Sequence, residues 1–352
     1  MRRLPIFFVL DVSESMAGDN IRVLSKGVEN LVRTLRTDPH ALESVYLSVI
    51  VFAGKAKTLT PLIELSSFYP PRLPLGSGTS LGKALDHLMS DIDKSVVKTT
   101  HEVKGDWKPV VYLLTDGKPT DEVAAAIRRW KDGYSKKASL VTVGIGSHAD
   151  MSTLRQLTEN AFHLTAESEA DFMKFIQWMS LSVSAQSRSV SAGPSEGLSL
   201  AKIDESVLKK VDEISKSSAV DEDFVILTGK CSSTKLPYVM RYEKVASPEI
   251  RTSDFRSTAD IYSLNGVYPM ELDYFDLSDE RALERTVNSN ALLGAPGCPH
   301  CGNPYGFAVC SCGGVMCIKG PGKATCPWCG ETDNYGMMSL DSEGADVNRS
   351  RG

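Results

Sequence analysis

The sequence predicts an α/β protein with a doubly wound, mostly parallel sheet, followed by a small β-rich domain. Over the first half of the chain, short apolar runs alternate with segments that carry apolar residues at helical spacing, which is the pattern of such a sheet. Several of the apolar runs end in loops of Asp, Ser, Thr and Gly. Near the C-terminus, the sequence Cys-Pro-x-Cys-Gly occurs twice.

The apolar runs have the length of buried strands. Between them, apolar residues recur at the spacing of one helix face, and a final helix closes the unit. The predicted strands cover residues 6–10, 45–52, 56–65, 109–114 and 140–145, and the predicted helices cover residues 21–35, 81–88 and 172–179.

A loop of acidic and hydroxyl residues follows the first predicted strand. Asp11, Ser13 and Ser15 alternate in sequence, so a tight loop could bring their oxygen atoms to one point. Ligands of open α/β sheets bind where loops leave the carboxyl ends of the strands. One carboxylate and two hydroxyls suit a hard cation such as Mg²⁺. The loop therefore predicts a divalent metal site at this end of the sheet.

Two later loops carry the same chemistry. Thr79 lies in a Gly-rich loop that enters a helix, and Asp116 follows the fourth predicted strand. The Gly-rich loop lacks the Gly-Lys-Ser/Thr of a phosphate-binding loop. Taken singly, Thr79 could cap its helix and Asp116-Gly117 could be a simple turn. We expect no part in metal binding for Glu14 or Ser80.

In this order, the five residues resemble the metal-ion-dependent adhesion site of von Willebrand factor A (VWA) domains, which have a Rossmann-like fold. The resemblance implies that Ser13, Ser15 and Thr79 contact the metal through their hydroxyls. It also implies that Asp11 and Asp116 bind the metal directly or through water. Mg²⁺, or else Mn²⁺ or Ca²⁺, is the expected ion.

The cysteines are unevenly placed. Of eight, seven lie between Cys298 and Cys329, and Cys231 stands apart, which favours a local metal site over a disulfide framework. The two Cys-Pro-x-Cys-Gly turns predict one four-thiolate zinc site, with Cys298, Cys301, Cys326 and Cys329 as ligands. For the other cysteines two interpretations stay open: they are buried thiols, or they form a second zinc site that includes Cys231 or His300. The residues concerned are Cys310, Cys312 and Cys317.

Composition shifts set the expected domain boundaries. We predict the VWA domain at 1–185, a Ser-rich linker at 186–200, a β-rich domain at 201–336 with the zinc ribbon at 298–330, and a disordered tail at 337–352. In the β-rich domain, strands are expected at 224–228, 238–245, 260–268 and 271–275, with a hairpin through 307–309 and 315–316. Lys209 and Lys210 are expected on a solvated helix face.

The net charge of −5 gives no general attraction to nucleic acid or anionic membranes. Asp11 interrupts the first apolar run and no small-residue cleavage site follows, so we do not expect a signal peptide. No apolar run approaches the roughly 20 residues that span a bilayer. We therefore expect a cytoplasmic protein that binds neither nucleic acid nor membrane.

A VWA domain followed by a β segment and a seven-cysteine terminus resembles the TerY-type proteins of bacterial tellurite-resistance and stress operons. The resemblance rests on the Gly-Lys-Cys231 segment, the run 295–302 and the turn 326–330. It implies a non-enzymatic component of a signalling module, with a Ser/Thr protein kinase and a PPM-type protein phosphatase as partners. Two alternatives remain. One is a metal-dependent phosphohydrolase that uses Asp11 and Asp116. The other is a zinc-ribbon protein that binds nucleic acid, although the span 298–329 contains only two lysines, too few for a surface that follows phosphates.

Overall fold

A computed structural model describes the chain in two units, residues 1–219 and 220–352. Within them, the described residues are 2–102, 104–146, 149–165, 168–192, 198–204, 207–211, 224–245, 260–279, 286–294, 296–336 and 344–349. Among the helices in these ranges, none combines the length and hydrophobicity that crossing a bilayer requires.

The first unit contains a seven-stranded sheet within its described residues, in the order β3-β2-β1-β4-β5-β6-β7. The five central strands are parallel, while the edge strands β3 and β7 run antiparallel to their neighbours. This confirms the doubly wound, mostly parallel sheet. The strands are β1 (Leu4–Asp11), β2 (Val45–Phe52), β3 (Ala56–Glu64), β4 (Val110–Thr115), β5 (Ser139–Ile145), β6 (Ala161–Leu164) and β7 (Leu208–Lys210).

Helices follow the strands as a doubly wound fold requires. Alternate residues of β1 point to opposite faces, and Phe7 and Val9 pack in one core with residues of α3, α4 and α5. On α1, Gly27 lies against Ile176 of α6. The helices are α1 (Asp19–Leu35), α2 (Pro39–Ser44), α3 (Leu81–Ser95), α4 (Ala124–Arg129), α5 (Met151–Leu157) and α6 (Glu169–Ala192). A π-helical turn, Trp130–Tyr134, continues α4.

The order of the strands places a switch point between β1 and β4. The chain proceeds from β1 to β2 and β3 on one side and then returns to β4 on the other side. In open α/β sheets, the crevice at this reversal, outside the carboxyl ends of the strands, is where ligands bind. Asp11 ends β1 and Asp116 directly follows β4, so both acidic residues lie at the switch point.

The first unit extends beyond its predicted boundary. Residues 186–192 of the expected linker are part of α6, residues 193–197 lie outside the described residues, and the Ser199 amide donates to Gln186 Oε1 at 2.6 Å. Lys209 and Lys210 are exposed on strand β7, not on a helix. Because β7 pairs with β6, this strand belongs to the sheet of the first unit.

The second unit is built on a six-stranded sheet of described residues, in the order β12-β10-β9-β8-β14-β13. The expected hairpin is present as β13 and β14, and β14 also pairs in parallel with β8. The zinc-ribbon segment therefore continues the main sheet instead of forming a separate module. The strands of this sheet are β8 (Phe224–Lys230), β9 (Pro237–Val245), β10 (Ile261–Pro269), β12 (Leu292–Leu293), β13 (Tyr305–Val309) and β14 (Val315–Ile318).

Two small antiparallel pairs complete this unit: β11 (Thr286–Asn288) with β17 (Asp346–Asn348), and β15 (Gly322–Thr325) with β16 (Thr332–Tyr335). Where a strand was expected at 271–275, a short helix, α7 (Tyr274–Leu277), is present. The prediction of a disordered tail at 337–352 is also wrong for its described part, because Val347 of β17 is buried in the core of the unit. The rest of that tail, 337–343 and 350–352, lies outside the described residues.

Candidate metal centres

Asp11 is the buried centre of the site at the switch point. Both oxygens of its carboxyl group accept hydrogen bonds: the Ser13 amide donates to Oδ1 at 2.9 Å, and the Thr115 hydroxyl donates to Oδ2. Thr115 lies at the end of β4, so this bond also joins β4 to β1. The carboxyl group is thereby held in one orientation at the end of β1.

The hydroxyls of the first loop lead from Asp11 towards Asp116. Ser13 Oγ and Ser15 Oγ lie 2.9 Å apart, and Ser15 Oγ donates to Asp116 Oδ1 at 2.7 Å. Ser13 is fully buried, Ser15 is half-buried and Asp116 is 8% exposed. These hydrogen bonds therefore connect the loop after β1 to the loop after β4, which are about a hundred residues apart in sequence.

The Gly-rich loop brings Thr79 to the same place. The Thr79 amide donates to Thr120 Oγ1 at 2.9 Å, and the Thr120 amide donates to the Thr79 carbonyl at 2.9 Å. A Cβ atom built on Gly117 would lie 3.4 Å from Thr79 Oγ1 and 3.9 Å from Ser15 Oγ. The backbone after Asp116 thus lies directly against both other loops, and all five residues predicted from the sequence meet in one site.

The residues present fit a hard divalent cation. Thr79 is 1% exposed, and its Oγ1 atom has no hydrogen-bond partner among the described residues. Leaving a buried hydroxyl unpaired is costly, so an oxygen-seeking ion would satisfy it. Burial also raises the pKa of Asp11 to about 6, although hydrogen bonds from Ser13 and Thr115 act in the opposite direction. A cation beside the carboxylate would favour its charged form.

Sequence reasoning missed two residues of this site. Thr115 orients Asp11, and the fully buried Glu14 accepts a hydrogen bond from Ser77 Oγ at 3.2 Å, which ties the first loop to the Gly-rich loop. The only sequence signal for Thr115 is its place directly before Asp116. Nothing in the sequence marks Glu14 as buried, because it lies in a polar stretch.

The eight cysteines form two clusters in the second unit. In each cluster the four Sγ atoms lie within 4.8 Å of one another. We call them the inner cluster and the outer cluster, after their exposure. The inner cluster consists of Cys231, Cys298, Cys301 and Cys317, and the outer cluster consists of Cys310, Cys312, Cys326 and Cys329.

The sulfur spacings match a tetrahedral zinc site. Four sulfurs placed about 2.3 Å from a central Zn²⁺ lie about 3.8 Å from one another. In the inner cluster, Cys317 Sγ is 3.7 Å from Cys301 Sγ and 3.9 Å from Cys231 Sγ. In the outer cluster, the pairs Cys310–Cys329 and Cys312–Cys326 are both separated by 3.8 Å. A disulfide would need about 2.05 Å, so each cluster could hold one zinc ion.

This arrangement corrects the predicted ligand set. We expected the two Cys-Pro-x-Cys turns to share one zinc ion, but Cys298 and Cys301 lie in the inner cluster and Cys326 and Cys329 in the outer one. The hairpin β13–β14 separates them. The four cysteines left open are all ligand candidates, whereas His300 hydrogen-bonds through Nε2 to the Pro237 carbonyl at 2.7 Å and is in neither cluster.

Strand register explains the pairing. In the parallel pair β8–β14, Val315 lies opposite Gly229 and Met316 opposite Lys230, so the next residues, Cys317 and Cys231, are side by side. At the other end of β14, the turn from β13 supplies Cys310 and Cys312. The clusters therefore lie at opposite ends of one strand.

Several solved structures resemble the chain. A von Willebrand factor type A protein from Catenulispora acidiphila is 17% identical, with a TM-score of 0.42, over 52% of this chain and 43% of that one. Mussel byssus proximal thread matrix protein 1, in a structure with a zinc-occupied MIDAS motif, is 19% identical, with a TM-score of 0.38, over 52% and 48%. The ArnB paralog VWA2 from Sulfolobus acidocaldarius is 11% identical, with a TM-score of 0.38, over 77% and 66%. This chain spans less than half the length of the first two.

Two family models match the chain in succession. The von Willebrand factor type A domain matches residues 6–178, which include all five residues of the switch-point site. The TerY-C metal-binding domain matches residues 221–352, which include both cysteine clusters. The chain is therefore a VWA protein of the TerY type, in which a von Willebrand factor type A domain is followed by a TerY-C metal-binding domain.

Proposed function

We propose that the protein is a non-enzymatic interaction scaffold whose VWA site, with Mg²⁺ bound, captures an acidic side chain of a partner protein. The observation that carries this proposal is that five oxygen-bearing side chains meet in one site, among them Thr79 with its unpaired, buried hydroxyl. They are Asp11, Ser13, Ser15, Thr79 and Asp116.

The composition of the site supports capture over catalysis. Two carboxylates and three hydroxyls give the cation few negatively charged ligands. The cation therefore keeps an affinity for one more negatively charged ligand. A carboxylate from outside would complete the coordination, since hard cations prefer oxygen ligands. These five side chains include no imidazole, amine or thiol, and metal-assisted hydrolysis generally needs a positioned base or nucleophile as well.

The second unit would hold two zinc ions in structural roles. Four thiolates close the coordination shell and leave no position for substrate. Because each cluster joins separate turns and strands of the unit, metal binding would contribute directly to folding free energy. This unit would offer a second contact surface to the partners.

TerY-type family membership supports a place in a bacterial tellurite-resistance or stress-signalling module. A Ser/Thr protein kinase and a PPM-type protein phosphatase are the proposed partners, and the cytoplasm is the proposed compartment. The acidic residue captured by the VWA site would belong to one of these two enzymes.

Metal binding is tested first, by calorimetric titration of the full-length protein with Mg²⁺ and Mn²⁺. Thr79→Val removes the hydroxyl but keeps the size of the side chain, and should abolish binding. Thr142→Val is the matched control, because Thr142 is also fully buried with an unpaired Oγ1 but lies within β5. Equal binding by all three proteins would overturn the metal site.

Partner capture is tested by affinity purification from lysate of the source organism, with mass spectrometry of the bound proteins. We expect a kinase or a phosphatase to be retained by wild type and by Thr142→Val in Mg²⁺. It should be lost with Thr79→Val and in Mg²⁺-free buffer. If the same proteins remain bound in all four samples, the VWA metal is not the docking point.

A further inference from the structure

The two cysteine clusters have the same ligands but different access to solvent. In the inner cluster, Cys231 and Cys317 are fully buried, Cys298 is 4% exposed and Cys301 is half-buried. In the outer cluster, Cys312 and Cys329 are both exposed. Since thiolate oxidation follows exposure, the clusters should differ in reactivity.

Neighbouring groups donate hydrogen bonds to the inner thiolates. The Cys317 sulfur accepts from the Ser232 amide at 3.3 Å and from Asn303 Nδ2 at 3.4 Å, and the Cys231 sulfur accepts from the Thr234 amide at 3.4 Å. Donors of this kind draw charge from a thiolate and make it a weaker nucleophile. The Trp328 amide likewise donates to the Cys326 sulfur of the outer cluster at 3.4 Å, so solvent exposure is the main difference between the clusters.

The outer cluster, in contrast, borders an open cavity. Cys312 and the neighbouring Trp328 line this cavity, which has a volume of about 300 Å³ and could admit a molecule the size of a peroxide. Cys312 lies in the tight turn between β13 and β14, and Cys329 lies in the turn that follows β15. Both residues are on surface turns, and their sulfurs lie within 4.8 Å of each other.

We propose that the outer cluster is an oxidation site, at which peroxide joins Cys312 and Cys329 in a disulfide and one zinc ion is released while the inner ion stays bound. This inference rests on the proposed two-zinc content of the second unit. It assigns to the exposed cysteines a role beyond that of structural ligands.

The reaction balances with hydrogen peroxide as the oxidant. The Cys312 thiolate attacks one peroxide oxygen, an S–O bond forms, the O–O bond breaks, and hydroxide leaves. The Cys329 thiolate then attacks the Cys312 sulfur, forming the S–S bond and expelling a second hydroxide. Two protons convert the hydroxides to water, and two electrons pass from sulfur to peroxide. Cys310 and Cys326 alone are too few ligands to retain the ion.

Trp328 provides a reporter within the same turn. Its indole Nε1 donates to the Val315 carbonyl at 2.7 Å, and its ring lies under the Lys230 ammonium at 5.0 Å. Loss of the outer metal and formation of the disulfide at Cys329 would alter the turn 326–329 that carries this ring, so tryptophan fluorescence should change together with the release of zinc.

The test follows zinc release from the full-length protein with a chromogenic chelator after addition of hydrogen peroxide. Zinc is counted beforehand, and we expect two ions per chain. One of the two zinc ions should be released at least about tenfold faster than the other, because oxidation follows the exposure of the thiolates. Peptide mapping after the fast phase should find the Cys312–Cys329 disulfide and unmodified Cys231 and Cys317.

Cys312→Ser and Cys301→Ser form a matched pair, one variant for each cluster. The zinc left in Cys312→Ser should leave only slowly, and the zinc left in Cys301→Ser should leave fast. Two ions released at one rate from wild type, or inner cysteines oxidised first, would overturn the inference and leave the two-zinc proposal intact. Fewer than two ions in the fresh wild-type protein would overturn both.

Discussion

The sulfur atoms of Cys231 and Cys317 lie 3.9 Å apart, although 86 positions separate the two residues in sequence. The parallel pairing of β8 with β14 brings them together. A metal ion shared by these residues would therefore hold β14 beside β8 within the six-stranded sheet. The outer cluster instead joins the hairpin β13–β14 to the turn after β15.

The first prediction concerns zinc content. Cys298→Ser and Cys326→Ser should each retain about one of the two zinc ions, because the two residues belong to different clusters. The double variant should retain none. Elemental analysis of the purified proteins measures this directly. Complete loss of zinc from both single variants would instead support one site shared by the two Cys-Pro-x-Cys turns.

The fold of the first unit and its metal site could be predicted because their signals are local. The apolar runs follow the period of buried strands, and Asp11, Thr79 and Asp116 each follow or precede an element that the sequence marks clearly. Carboxyl ends of parallel strands share one edge of a sheet, so the loops had to meet.

The cysteine pairing could not be predicted, because it depends on the register between β8 and β14, two strands far apart in sequence. The Ser-rich segment misled for a different reason. Within the predicted linker, Ser189 Oγ donates to the Gln186 carbonyl at 2.9 Å, and Ser187 Oγ lies 2.8 Å from Ser44 Oγ of α2. These serines belong to α6, and their hydroxyls have hydrogen-bond partners there or on α2. Composition alone had suggested a linker.

The second prediction concerns Thr115, which orients Asp11 without belonging to the five predicted ligands. Thr115→Val should weaken Mn²⁺ binding about 10- to 100-fold without abolishing it, as is typical when a residue that supports a metal ligand is removed. Calorimetric titration checks this, and Thr142→Val again serves as the control. An unchanged affinity would mean that the Thr115 hydroxyl does not hold Asp11 for the metal.

The third prediction concerns the contact between α1 and α6. A Cβ atom on Gly27 would lie 2.6 Å from Ile176 Cδ1, so Gly27→Leu should overpack the interface and destabilise the protein by about 1–3 kcal/mol. A Cβ atom on Gly133 would have no neighbour within 4 Å, and Gly133→Leu should leave the unfolding free energy nearly unchanged. Denaturant titration compares the two, and equal losses of stability would contradict the close helix contact.

The fourth prediction concerns pH. Burial raises the pKa of Asp11 to about 6 in the folded chain, while an unfolded Asp has a pKa of about 3.9. Between these values the folded chain holds a proton that the unfolded chain has released, so the contribution of Asp11 to stability is lost as pH rises from about 4 to about 6. Mg²⁺ requires the charged carboxylate and therefore opposes this loss.

The increase in melting temperature caused by Mg²⁺ should consequently be small near about pH 5 and larger near about pH 7. Scanning fluorimetry of the full-length protein, with and without Mg²⁺ at each pH, measures the increase. Any loss of zinc at the lower pH affects both samples and cancels in the difference. Asp11→Asn keeps the shape of the side chain but cannot ionise, so it should show no increase at either pH. A wild-type increase that is equal at both pH values would mean that the ion does not depend on the Asp11 carboxylate.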